Sequence, residues 1–115
     1  MKLFVDDERP MPVDGGWIVS RTAKDAKDMI FFAANNKGNE IEVLSLDHDL
    51  GENVPTGYDV AAWLECRVYM HGMIPPKVLK VHSANPVGRA RILQTFQSIA
   101  RYCERNGIEI PKIEG

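Results

Sequence analysis

Cysteine is scarce in this chain: two residues, Cys66 and Cys103, among 115. Two thiols cannot make a disulfide-stapled scaffold. Both fall in helix-like stretches and read as reduced, partly buried thiols, which points to a reducing compartment. Long apolar runs are missing too. None approaches the roughly 20 residues that span a bilayer, so no membrane association is expected. The first residues do not read as a signal peptide, because Lys2-Leu3-Phe4-Val5 runs straight into Asp6-Asp7-Glu8. Charge of one sign is lacking: 14 Lys+Arg against 16 Asp+Glu leave a net charge of −2. That balance excludes a uniformly basic nucleic-acid binder, and no DNA-binding motif is visible. Internal repeats, linkers and low-complexity segments are absent as well.

What is present is an ordinary globular composition, 44% hydrophobic and 26% charged. The length suits one domain over residues 1–115, since two would each be too small for a good core. The near-neutral total hides a split. Residues 1–65 hold 13 acids and 6 bases, and residues 66–115 hold 3 acids and 8 bases. Solvated faces account for most such charges, so the question is where the acids sit.

Strand-length apolar runs alternate with helical periodicity. Leu3 to Val5 reads as a short strand, followed by a Pro/Gly loop from Asp7 to Gly16, then a second strand at Trp17 to Val19. Thr22 can cap a helix whose apolar face is Ala23, Ala26, Ile30, Ala33 and Ala34. Ile41 to Leu46 is the third strand, closed by Asp47. After the 51–55 loop, a helix following Thr56 turns Val60, Trp63, Leu64, Val68 and Cys66 inward and stops at Gly72. Val78 to Ser83 is the fourth strand. Asn85-Pro86 starts the last helix, with Ile92, Leu93, Phe96, Ile99, Ala100 and Cys103 on its apolar face and Gly107 beyond its end. Ile108 to Ile110 is a candidate fifth strand. This order predicts an α/β fold, a mainly parallel sheet of four or five strands with helices on both faces. About ten residues join the first two strands, fewer than the dozen usual for a parallel crossover. The connection is either a loop crossover or an antiparallel edge, and the crossover is preferred.

Ligands of doubly wound sheets bind beyond the carboxyl ends of the strands. Three strands here end in unusual chemistry: Asp6-Asp7-Glu8-Arg9, Asp47-His48-Asp49 and His82-Ser83-Ala84-Asn85. Clustered carboxylates repel unless they share a cation or a proton. Asp6, Asp7 and Asp47, with Asp49 beside them, make a hard oxygen site for Mg²⁺ or Mn²⁺. Ser83 and Asn85 can hydrogen-bond a phosphoryl group, and the Asn85-Pro86 helix start is an anion site to which Arg89 and Arg91 add charge. Bland readings stand beside each: turn chemistry for Asp6-Asp7, a packed ring for His82, a solvated face for the arginines.

These residues resemble a known family. Asp6-Asp7, Asp47 and Ser83-Ala84 lie where the receiver domain of response regulators carries its site. Asp6-Asp7-Glu8-Arg9-Pro10, Ser45-Leu46-Asp47-His48-Asp49-Leu50-Gly51, Thr56-Gly57-Tyr58-Asp59 and Val81-His82-Ser83-Ala84-Asn85-Pro86 look more closely like the cyclic-phosphate-processing receiver-like family of bacteria and phages. The resemblance implies a three-layer, flavodoxin-like sheet lacking the first helix, and a cytoplasmic setting in a bacterium or a phage-infected host. It makes Asp6 and Asp7 the metal-binding pair, Asp47 the phosphoacceptor and Ser83 the phosphoryl-contacting hydroxyl. The receiver's fifth-strand lysine has no clear counterpart, since Lys112 follows Pro111.

The expected function is that of a metal-dependent phosphoesterase acting on a phosphate ester, such as a cyclic phosphate of a nucleotide or an RNA end. Asp6, Asp7, Asp47 and Asp49 hold the ion in this reading. His48 or His82 serves as acid or base, and Asp47 is a candidate nucleophile. Arg9, Ser83, Asn85 and Arg89 position the phosphate. Two alternatives stand beside it. One is a signalling receiver phosphorylated on Asp47; the other is a non-catalytic module that binds a nucleotide or a partner protein.

Overall fold

A computed structural model describes residues 1–115. Five strands and three helices alternate: β1 (Lys2–Val5), β2 (Trp17–Ser20), α1 (Ala23–Ala34), β3 (Val43–Leu46), α2 (Gly57–His71), β4 (Val78–Val81), α3 (Pro86–Arg105) and β5 (Lys112–Glu114). Every helix starts on a side-chain cap. Thr22 accepts the amide of Asp25, Thr56 and Asp59 close a reciprocal capping box, and Asn85 accepts the amide of Gly88 ahead of Pro86.

The strands form one sheet in the order β2-β1-β3-β4-β5, and all four pairings are parallel. The receiver-like α/β class expected from sequence is the one found. The short link from β1 to β2 is a loop crossover, because β2 pairs with β1 in parallel.

Handedness then decides where the helices go. The links β2-α1-β3, β3-α2-β4 and β4-α3-β5 all step across the sheet in the same direction. Right-handed crossovers that step one way place their helices on one face. Accordingly α1 packs on α2 and α2 on α3, while α1 also meets β1 and β2, and α3 meets β4 and β5. Helices on both faces, as the element order suggested, are not found. The β1–β2 link steps the opposite way and carries no helix. Its residues reach the second face through Asp14, which takes Lys2 Nζ at 3.0 Å and Trp17 Nε1 at 2.8 Å.

The strand pleat divides the sheet accordingly. Leu3, Val5, Leu44, Leu46, Leu79 and Val81 face the helices and belong to a core cluster of 21 buried residues. Phe4 and Ser45 point to the other face. Phe4 is buried yet lies outside that cluster. It stacks on the His82 ring at 4.3 Å and meets Trp17 edge-on at 5.9 Å.

Two sequence expectations are corrected. The fifth strand is Lys112–Glu114, not Ile108 to Ile110. The Ile108 amide donates to the Cys103 carbonyl and so completes the end of α3, while Lys112 opens the ladder by donating to Lys77. Cys66 is exposed rather than inward-facing. Buried Val60, Leu64 and Val68 repeat every four residues, and Cys66 lies two positions off that stripe, about 200° round the helix. Cys103 is buried, and burial pushes its thiol pKa up. No helix is long and apolar enough to cross a membrane.

Candidate metal centre

Because β1, β3 and β4 are adjacent and parallel, their carboxyl ends share one edge. The ladder continues one residue past each strand. Asp6 donates its amide to Ser20, Asp47 to Val5 and His82 to Leu46, at 2.9–3.1 Å. These backbone bonds fix where the three side chains begin.

Asp6 is the most constrained of them, with a side chain only 1% exposed. Its Oδ1 accepts the amides of Glu8 and Arg9 at 2.9 and 2.8 Å, and its Oδ2 accepts His82 Nε2 at 3.0 Å. Burial by itself raises the carboxyl pKa. The two amides and the imidazole outweigh that and hold it below the ordinary carboxylate value. Arg9 closes over the edge, with Nη1 2.7 Å from the His82 carbonyl and Nε 3.8 Å from Asp6 Oδ2. Arg21 pins the turn by donating to the Asp6 and Arg9 carbonyls.

His82 is held on three sides. Phe4 stacks on its ring, Asp6 takes Nε2, and Ser45 Oγ lies 2.6 Å from Nδ1. An ionised Asp6 can only accept, so Nε2 carries the proton and Nδ1 accepts from the Ser45 hydroxyl. Burial lowers the His82 pKa, and the Asp6 contact offsets part of that. The unfolded chain therefore takes up a proton near pH 6.5 that the folded chain resists. Stability is expected to fall as pH drops below about 6.5, whereas the Asp6 contribution is lost only below about pH 4. Urea unfolding between about pH 7 and pH 5 should show this slope, and His82→Phe should flatten it.

Asp47 differs from Asp6. It is 9% exposed, and its side chain takes part in none of the hydrogen bonds or ion pairs of this edge. Its carboxylate lines a cleft of about 350 Å³ with Asp6, Asp7, Glu8, Arg9, Asp49 and Glu52. Six acids against one arginine make that cleft strongly negative. Two glycines let the chain close behind it. A Cβ on Gly57 would overlap the Asp47 carbonyl, and one on Gly88 would overlap the His48 ring.

Beside the cleft, His48 Nδ1 meets Asp49 Oδ1 at 2.9 Å, and this contact holds the Asp49 pKa below its ordinary value. Asn85 Nδ2 also reaches both Asp49 oxygens, at 3.3 and 3.4 Å, while Asn85 Oδ1 caps α3. Ser83 is buried, and its hydroxyl oxygen accepts the Asn85 amide. The helical arginines stay apart: Arg89 lies against Gly115, and Arg91 stacks 3.9 Å over Tyr58.

The structure thus brings Asp6, Asp7, Asp47, Asp49 and Arg9 to one cleft, sets His48, His82, Ser83 and Asn85 at its border, and leaves Arg89 outside. Asp6, Asp47 and His82 offer ligand atoms that all lie within 4.8 Å of one another, a group that could hold a metal ion. The unpaired Asp47 carboxylate fits a cation, whereas His82 has no free lone pair unless its ring gives up Ser45 or Asp6. Asp7 and Asp49 line the cleft but are not in that group. Sequence reading missed Ser45, Phe4, Gly57 and Gly88. A glycine at the first position of α2, directly after the Thr56 cap, was the one local sign of a close approach.

Neither the curated proteins nor the solved structures gave a match. A family model described as the cyclic-phosphate processing receiver domain matches residues 1–98, a span that includes the cleft residues and the β4 end at its border. The chain belongs to the cyclic-phosphate processing receiver domain family.

Proposed function

We propose that this chain is a metal-dependent phosphoesterase domain that acts on a phosphate ester, a cyclic phosphate of a nucleotide or of an RNA end. The observation that carries the reading is Asp47. A largely buried carboxylate that faces the cleft beside Asp6, with no protein donor and with acids outnumbering the one arginine of the wall, suits a cation. Asp47 and Asp6 are the groups that would hold it, with Asp7 at the open side, and Mg²⁺ or Mn²⁺ suits such oxygen donors. A bound ion of this kind polarises a phosphoryl oxygen or activates water.

The chain's own residues supply the rest. Arg9 carries the only positive charge on the cleft wall and meets the phosphate there. His48 is the better proton carrier, because Asp49 orients its Nδ1 and leaves Nε2 without a protein partner, while both His82 nitrogens are engaged. In this reading His82 positions Asp6, and Ser83 and Asn85 shape the loop.

The position of Lys112 disfavours the signalling alternative. Lys112 opens β5 and pairs with Val78, at the opposite edge of the sheet from the cleft. β5 ends at Glu114 instead, so no lysine stands where a receiver needs one.

The test is incubation with a 2′,3′-cyclic nucleotide and Mg²⁺ or Mn²⁺, followed by ³¹P NMR. A monophosphate should form, and Asp47→Ala should not form it. Equal product from wild type and Asp47→Ala would sink the proposal. A phosphoryl group retained on Asp47 after acetyl phosphate would favour the receiver. Binding without turnover under every condition would favour the binding module.

A further inference from the structure

A second cavity, of about 500 Å³, lies at the other end of the sheet, where β3, β4 and β5 begin and α1 and α2 finish. That volume is typical of small-molecule sites. Its floor includes Ile30, Ala33, Ile41 and Met73, all buried. None of the residues that build the Asp47 cleft lines it.

Arg67 enters this cavity from α2. Its guanidinium carbon lies over the Phe31 ring, 5.0 Å from the ring centre, and its Nε is buried with no hydrogen-bond partner. No carboxylate pairs with it, although Lys2, Arg9, Lys24 and Lys112 each have a carboxylate oxygen within 4 Å. A guanidinium over an aromatic ring, with no carboxylate on its nitrogens, keeps its planar fork of donors for a two-oxygen acceptor.

The surroundings limit how much charge that acceptor can bring. Two helices end here, and helix C-termini carry partial negative charge. Glu40 and Glu109 also line the cavity. Lys77 and His71 stand at the wall, and the field of Lys77 acts on Glu40. A dianionic phosphate is therefore disfavoured, and a singly charged group with an apolar body is favoured.

We propose that this cavity binds a small organic carboxylate, its two oxygens on the Arg67 guanidinium and its apolar body over Ile41 and Met73. The site is separate from the phosphoesterase reading and does not depend on it.

The experiment is ¹H–¹⁵N and methyl NMR of the whole chain, titrated with benzoate, phenyl phosphate or benzylamine at millimolar concentration. Benzoate should move the Ile41 and Met73 methyl signals and the Arg67 Nε signal, with phenyl phosphate weaker and benzylamine inert. Arg67→Gln should weaken benzoate binding by about tenfold or more, the loss expected for a charge-assisted two-point contact. Arg67→Lys, which keeps the charge without the fork, should fall between and guards against misfolding of the first variant. The proposal fails if benzoate moves none of these signals, if Arg67→Gln binds it as wild type does, or if benzylamine binds as tightly.

Discussion

On the phosphoesterase proposal, Asp47→Asn is expected to abolish turnover, by about a thousandfold or more, while leaving the apo fold more stable. The two effects have one cause. A carboxylate that holds a catalytic cation supplies several kcal/mol of charge stabilisation, and each 1.36 kcal/mol is tenfold in rate. Without the cation, the same carboxylate is a buried charge close to Asp6, with no donor of its own. Replacing it with a neutral amide relieves that repulsion, by about 1 kcal/mol at neutral pH. Thermal unfolding with and without Mg²⁺ reads both effects. Wild type should gain stability from the ion and the variant should not, yet the variant should melt higher in chelator. Equal stabilisation by Mg²⁺ in both proteins would remove Asp47 from the metal site.

Gly57→Ala should be the most damaging single methyl group in the chain. A Cβ there meets the Asp47 carbonyl, which is backbone and cannot swing aside, and comes within 3.2 Å of the His48 Cα. The Gly57 amide also donates to the His48 carbonyl at 2.8 Å, so the α2 start and the end of β3 are tied together. Overpacking against such a contact costs about 3 kcal/mol. In a domain of this size that lowers the melting temperature by roughly 10 °C. Gly72→Ala is the control. Gly72 ends α2 at φ 68° with open space around it, so only backbone strain opposes the methyl. That strain costs about 1 kcal/mol and should leave the cleft untouched. If the two variants melted alike, the Gly57 contact would not be what holds Asp47 in place.

Much of the site was legible because its parts are local. Acids that follow short apolar runs mark strand ends, and parallel strands bring those ends together. Asp6, Asp7, Asp47 and Asp49 could be assigned to one edge from that alone. The caps at Thr22 and Asn85 were legible for the same reason: each bonds an amide three residues on. What was not legible depends on pairing between distant residues. Ser45 is an unremarkable strand serine until β3 lies beside β4 and its hydroxyl meets His82, 37 positions away. Arg9 and Arg89 look equivalent in sequence, yet only Arg9 reaches the cleft. The Ile108 to Ile110 run has strand composition, but the end of α3 uses its first amide.

The alternation of apolar runs and helical periodicity determined a parallel α/β sheet, the positions of its helix starts and the edge where the acids gather. Tertiary structure decided which acid is satisfied and which is left bare. Asp6 has two amides and an imidazole, whereas Asp47 has no donor and faces the cleft. It also decided that all three helices cover one face, because the direction of each step across the sheet sets the side on which a right-handed crossover packs. Composition and periodicity carry no record of that direction, since it is a property of strand order and not of any segment.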